Sequence, residues 1–168
     1  GGEITHIEAF GFADKDFRTT LTKIGQESDG LFVIYSSPGT VLNQIKELGL
    51  DMQVFGQWGM QNSMTLDIAG ENANGVVYPF PAVEASEAFI AKFGEARTFT
   101  VPATYDALHI LADALDECEM DNECSNKYIQ ALENYPGASG DITFDDETWD
   151  VGKEYVLKTI QNESFVLL

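Results

Sequence analysis

The stretch Leu31-Phe32-Val33-Ile34-Tyr35-Ser36-Ser37-Pro38-Gly39 decides the fold class. Five apolar residues in a row make a short strand with both faces buried, the kind parallel sheets use. The two serines and Pro38-Gly39 then turn the chain, and Pro38 suits a first helical position. Beyond them Val41, Leu42, Ile45 and Leu48 form one stripe at helical spacing. Gly49 stands where a helix C-terminal cap belongs.

Outward from this unit the same alternation repeats. Upstream, residues 4–10 read as a strand, and Asp16 is placed to cap a helix whose Phe17, Leu21 and Ile24 share one face. Downstream, residues 52–56 read as a strand, 57–63 as a polar and aromatic loop and 64–69 as a short helix ended near Gly70. Residues 76–78 form the next expected strand, stopped by Pro79 and Pro81, and 83–93 a helix anchored by Phe89, Ile90 and Phe93. Residues 94–102 read as a crossover. Residues 103–115 follow as a helix with Tyr105, Leu108, Leu111, Ala112 and Leu115 on its expected apolar face. A further helix over 125–134 and strands over 141–144, 153–160 and 164–168 complete the chain, with Gln161-Asn162 as the last turn. Strands alternating with helices imply an α/β fold, a three-layer αβα arrangement around a mainly parallel sheet with extra C-terminal strands. The expected division is an α/β core over 1–94, a helical segment over 95–140 and C-terminal strands over 141–168 that return to the core.

Composition narrows the function. The chain has 168 residues with 28 acidic against 9 basic side chains, a net charge of −19. No basic stripe exists to neutralise phosphates, which argues against nucleic acid and against an anionic membrane surface. No run approaches the length of a membrane-spanning helix, and the opening residues carry no signal pattern, so the chain reads as an excised piece of a longer protein. Cys118 and Cys124 flank a five-residue acidic turn. A disulfide across it is the expectation and points to an oxidising compartment; the rival reading is two free thiols in a polar loop. Two cysteines with no nearby histidine make an incomplete zinc site. The acidic run from Asp145 to Asp150 lacks the residue order of a calcium loop and reads as a solvated turn. His6 and His109 read as structural, and Tyr105-Asp106 as packing plus surface. There is no Gly-x-Ser-x-Gly elbow, Walker loop or Gly-x-Gly-x-x-Gly after the first strand, so no catalytic residue, metal or cofactor is expected.

Three segments, taken in order, resemble the branched-chain amino acid binding proteins of the type I periplasmic class. The first is Asp16-Phe17-Arg18-Thr19-Thr20-Leu21-Thr22-Lys23-Ile24 with Asp29-Gly30-Leu31-Phe32-Val33. The second runs Gln44-Ile45-Lys46-Glu47-Leu48-Gly49-Leu50, then Phe55-Gly56, Ile68-Ala69-Gly70 and Asn74-Gly75-Val76-Val77. The third is Ala103-Thr104-Tyr105-Asp106-Ala107 with Gly137-Ala138-Ser139-Gly140-Asp141-Ile142-Thr143-Phe144-Asp145. The resemblance covers nearly the whole chain and implies the second lobe of such a protein, with residues 95–140 belonging to the first lobe of the full-length family. It implies an extracytoplasmic solute-binding protein that hands an amino acid or related carboxylate or amide to an ABC permease. Helices parted from their first-lobe partners would leave apolar faces for repacking or self-association.

In α/β sheets ligands gather beyond the C-terminal strand ends. That rule selects Tyr35, Ser36 and Ser37 after one strand, where hydroxyls and a helix N-terminus suit a carboxylate. It also selects Gln57, Trp58 and Gly59 after the next, with Trp58 facing the ligand and Gly59 permitting close approach. Phe12 is a candidate cleft wall. Asn74, before the following strand, is a candidate partner for an ammonium group on the strength of the resemblance. Each has a plainer reading as turn or core. Two alternatives stand beside capture for transport: a sensory domain of the same fold coupled to a regulator, and a flavodoxin-like enzyme.

Overall fold

The computed structural model describes every residue except 1, 12, 95–97, 146 and 149. The chain divides into two compact units, one formed by Gly1–Phe80 with Tyr155–Leu168, the other by Pro81–Glu154.

The first unit holds a five-stranded mixed sheet in the order β1-β2-β3-β6-β7. Its parallel part is β1 (Gly30–Val33), β2 (Gln53–Gly56) and β3 (Val77–Pro81), threaded by α1 (Arg18–Ile24), α2 (Pro38–Glu47) and α3 (Ser63–Ala69). β1 and β2 run in parallel register from Gly30↔Gln53 to Val33↔Gly56, and Phe55 pairs with Val77 of β3. β6 (Tyr155–Gln161) adjoins β3, where the Gly75 N–H reaches the Ile160 carbonyl at 2.9 Å. β7 (Ser164–Leu167) returns antiparallel beside β6. The turn between them uses left-handed Asn162 and Glu163, one residue later than the sequence pattern suggests.

One face of this sheet is packed. Val33, Val54, Tyr78, Phe80 and Ile160 are buried on it, as are Val41, Leu42 and Ile45 of α2. Gly56 lies under the buried Met60 side chain, and Gly39 lets α2 approach α3, since a Cβ there would sit 2.8 Å from Ile68 Cβ and 3.0 Å from the Thr65 carbonyl. Gln44 ties α2 to the start of α1, accepting from the Phe17 N–H at 2.7 Å and donating to the Lys15 carbonyl at 2.7 Å. The alternate strand positions remain exposed, Phe32 at 58% and Phe55 at 42%.

Residues 4–10 depart from expectation. They join no ladder, and Ile4 and Ile7 are largely exposed. A strand needs a neighbour to satisfy its backbone, and no described strand lies against this one.

The second unit contains α4 (Glu87–Phe93), α5 (Thr100–Glu117) and α6 (Asn122–Gln130), and a separate hairpin of β4 (Tyr135–Gly137) and β5 (Gly140–Ile142). Residues 141–144 therefore do not extend the large sheet; Asp141 and Ile142 pair back on Pro136 and Tyr135. The buried face of α5 is also not the one the apolar pattern selects. Pro102, Asp106, Ile110 and Ala114 are inside, while Leu108 and Leu111 are exposed. Asp106 decides the rotation. Its carboxylate accepts from the Ala138 N–H at 2.5 Å, the Ser139 N–H at 2.7 Å and the Ser139 hydroxyl at 2.6 Å. A buried carboxylate with three donors is satisfied, so a polar residue can occupy the core face. Cys118 and Cys124 form the expected disulfide across the α5–α6 turn, with Cα atoms 5.6 Å apart.

Candidate functional site

The two strand-end loops selected from the sequence lie side by side. Because Val33 is level with Gly56, the residues that leave β1 and β2 emerge at the same edge. Residues 34–37 and 57–59 therefore form adjoining walls at the carboxyl end of the parallel strands, where α/β sheets bind ligands.

Ser37 is the N-cap of α2, followed by Pro38 in the first turn. Its side chain makes no capping bond; the hydroxyl lies 3.4 Å from that of Thr40, and Ser36 is exposed beside it. Two serine hydroxyls at the N-terminus of a ten-residue helix offer donors and a favourable dipole to an anionic group. Tyr35 is partly committed already. Its hydroxyl donates to the Asp14 carbonyl at 2.6 Å, and its ring meets Phe10 and Phe17 edge-on at 5.3 and 5.2 Å. The ring rather than the hydroxyl is what Tyr35 can offer, and its main service is to hold Phe10, Asp14 and Phe17 against the same edge. Phe12 lies outside the described residues.

On the other wall, Gln57 caps the 3-10 turn Trp58–Met60. Trp58 keeps 47% of its surface exposed, an aromatic face at the rim, while Met60 two residues on is buried. Gly59 has a specific neighbour: a Cβ there would come 3.3 Å from the Gln57 Nε2, so its absence leaves that amide room.

Asn74 is not part of this constellation. It precedes β3, and since β3 runs parallel to β2, Asn74 belongs to the opposite edge of the sheet from Trp58. A residue that precedes a strand of a parallel sheet lies at its amino edge, so the strand-end rule does not select Asn74.

The sequence reading missed Gln61 and Lys158. The Gln61 Oε1 accepts from the Tyr78 hydroxyl at 3.2 Å and from Lys158 Nζ at 3.1 Å, and that ammonium stands 4.4 Å over the Phe80 ring. Burial holds the Lys158 ammonium below the usual lysine range and pushes the Tyr78 hydroxyl well above the usual tyrosine range. The group braces the Trp58 turn from below. A lone lysine within Tyr155-Val156-Leu157-Lys158-Thr159-Ile160 was the available signal. His6 and His109 lie elsewhere: His6 contacts Glu27 at 3.3 Å, and His109 stacks on Tyr105 at 4.3 Å.

This architecture is that of the type I periplasmic solute-binding proteins, represented by the branched-chain amino acid binding proteins of ABC transporters. Among curated proteins the chain is similar to the leucine-, isoleucine-, valine-, threonine- and alanine-binding protein of Pseudomonas aeruginosa, with 27% identity over 162 residues, 88% of this chain and 42% of that one. Among solved structures it matches a leucine-binding protein from Thermotoga maritima with a TM-score of 0.79 and 24% identity, over 93% of this chain and 48% of that one. It also matches a branched-chain amino acid binding protein from Streptococcus pneumoniae in complex with isoleucine (TM-score 0.73, 23% identity, 95% and 50% covered). No protein-family model matches. The chain spans about half the length of the proteins it resembles.

Proposed function

We propose that this chain is the second lobe, with its crossover segment, of an extracytoplasmic solute-binding protein that captures an amino acid or a related small polar solute. One observation carries the reading: the loops after β1 and β2 form adjoining walls at the carboxyl edge of a sheet whose fold is that of amino-acid binding proteins. The Ser36-Ser37 helix terminus would serve an anionic group, and Trp58 would close over the apolar part. The complete protein would hold its solute between two lobes by hinge closure and present the closed form to an ABC permease. No bond is made or broken in that cycle, so the chain is proposed not to be an enzyme. The disulfide Cys118–Cys124 agrees with an oxidising, extracytoplasmic location. Leu108 and Leu111, exposed on α5, are the positions where the helical segment would meet first-lobe partners, or a second copy when those partners are missing.

The test is a thermal-shift and calorimetric screen of the complete gene product against leucine, isoleucine, valine, threonine, alanine, small amides and carboxylates. A ligand at 100 times its Kd stabilises the native state by about 2.7 kcal/mol, an easily read rise in Tm. A well-folded protein that responds to none of them would overturn the amino-acid reading.

A further inference from the structure

We propose that Asn162, in the turn between β6 and β7, is a modification site: the acceptor of an N-linked glycan. The proposal rests on the extracytoplasmic reading above, because this modification belongs to secreted chains.

The residues are Asn162-Glu163-Ser164, an asparagine and a serine separated by one residue that is not proline. That order is the acceptor motif for N-glycosylation. No other asparagine of the chain has serine or threonine two places on. Asn122-Glu123-Cys124 differs in kind: its third residue is held in the disulfide, and Asn122 opens α6. A motif this short also arises by chance, so its surroundings decide.

Gln161 pairs with Ser164, which leaves Asn162 and Glu163 as a two-residue hairpin loop. Their φ values are 48° and 57°, the left-handed pair that such tight hairpins use. A left-handed φ favours asparagine at 162, but it does not call for serine at 164. Residues 161–164 are all exposed. The Asn162 side-chain amide makes no hydrogen bond among the described residues, so its Nδ2 is available. The Ser164 hydroxyl reaches the Asn162 carbonyl at 3.5 Å. Glu163 leans the other way, toward Gly70, where a Cβ would come 3.4 Å from its Oε1. The turn also lies away from the candidate site. The Gly75 N–H donates to the Ile160 carbonyl, so the residues just beyond Ile160 sit where β3 begins. Residues 57–59 leave the opposite edge of the sheet, and a bulky substituent on Asn162 keeps clear of them.

A second observation gives the glycan a task. β7 is the last strand in the sheet order and has one described neighbour, β6. After Ser164 the chain reads Phe165-Val166-Leu167-Leu168, and Leu167 and Leu168 are 67% and 71% exposed. Free sheet edges are ordinarily guarded by charge, proline or a bulge, and this one shows none of them. A bulky, solubilising glycan at the head of the strand supplies the guard.

The donor is a glycan carried on a polyprenyl diphosphate. Nδ2 of Asn162 bonds to C1 of the first sugar. The bond from C1 to the diphosphate oxygen breaks, its electron pair leaves with the diphosphate, and Nδ2 gives up one proton.

The test is tandem mass spectrometry of the complete gene product, isolated from its own cells after these are separated into cytoplasmic and extracytoplasmic fractions. The extracytoplasmic peptide that spans residue 162 should carry added mass and yield sugar fragment ions. Asn162→Gln and Ser164→Ala, expressed in the same cells, should lose the added mass. Ser164→Thr should retain it, and Asn122→Gln should leave it unchanged. A bare residue-162 peptide from extracytoplasmic protein overturns the inference, whether or not any variant folds, and leaves the location standing. Added mass that survives Ser164→Ala also overturns it, because the motif is then not what is read. Protein confined to the cytoplasm overturns both the inference and the location on which it rests.

Discussion

Replacing Asp106 with alanine should cost the unit that contains it about 3–5 kcal/mol. The carboxylate is 2% exposed and takes three donors, from the Ala138 and Ser139 N–H groups and the Ser139 hydroxyl, at 2.5–2.7 Å. Hydrogen bonds to a charged group contribute about 1.5–3 kcal/mol each, and a buried donor left without a partner costs about 1–3 kcal/mol. These terms are not additive, because the hydroxyl can rotate to another acceptor, and the sum is discounted accordingly. Asp106→Asn keeps the shape but turns an NH₂ toward N–H donors, so about half the loss is expected. The control is Asp113→Ala on the same helix, which removes an exposed 2.9 Å bond from the Tyr135 hydroxyl and should cost less than ~1 kcal/mol. Urea unfolding gives the free energies, and exchange of the Ala138 and Ser139 amides reports the site directly. If Asp106→Ala lies within ~1 kcal/mol of the parent and those amides stay protected, the clamp is not what fixes the rotation of α5.

Four further outcomes follow from the geometry. Gly39→Ala should lower stability by about 1–3 kcal/mol by wedging α2 off α3 at Ile68 and Thr65; urea midpoints measure it. Reducing Cys118–Cys124, or the double serine variant, should cost about 2 kcal/mol, read as a lower Tm with and without reductant. Trp58→Ala should weaken solute binding by the complete protein at least ~10-fold with little change in Tm, because its ring is half exposed; titration calorimetry separates the two effects. Burial lowers the Lys158 pKa, so the unfolded chain binds more protons in the window just below 10.5, and stability there rises with pH. The contribution is complete above the unfolded-state value and is lost as pH falls through the folded one. Lys158→Met should abolish that rise in urea midpoints.

The parts legible from the sequence are those whose cause is local. The apolar run at 31–35 and the Pro38 turn set up β1 and α2, and the short cysteine spacing foretold the disulfide. The rest depends on partners distant in the chain. Apolar periodicity put Leu108 and Leu111 inside α5, but three donors from residues 138–139 drew Asp106 inward and turned the leucines out. Asn74 sits next to a strand, yet the direction of β3 places it at the far edge. Residues 4–10 make the same point in reverse. They read as a strand, and the described chain supplies no ladder for it. A strand is fixed by the neighbour that satisfies its backbone as much as by its own residues, and no described strand supplies one here.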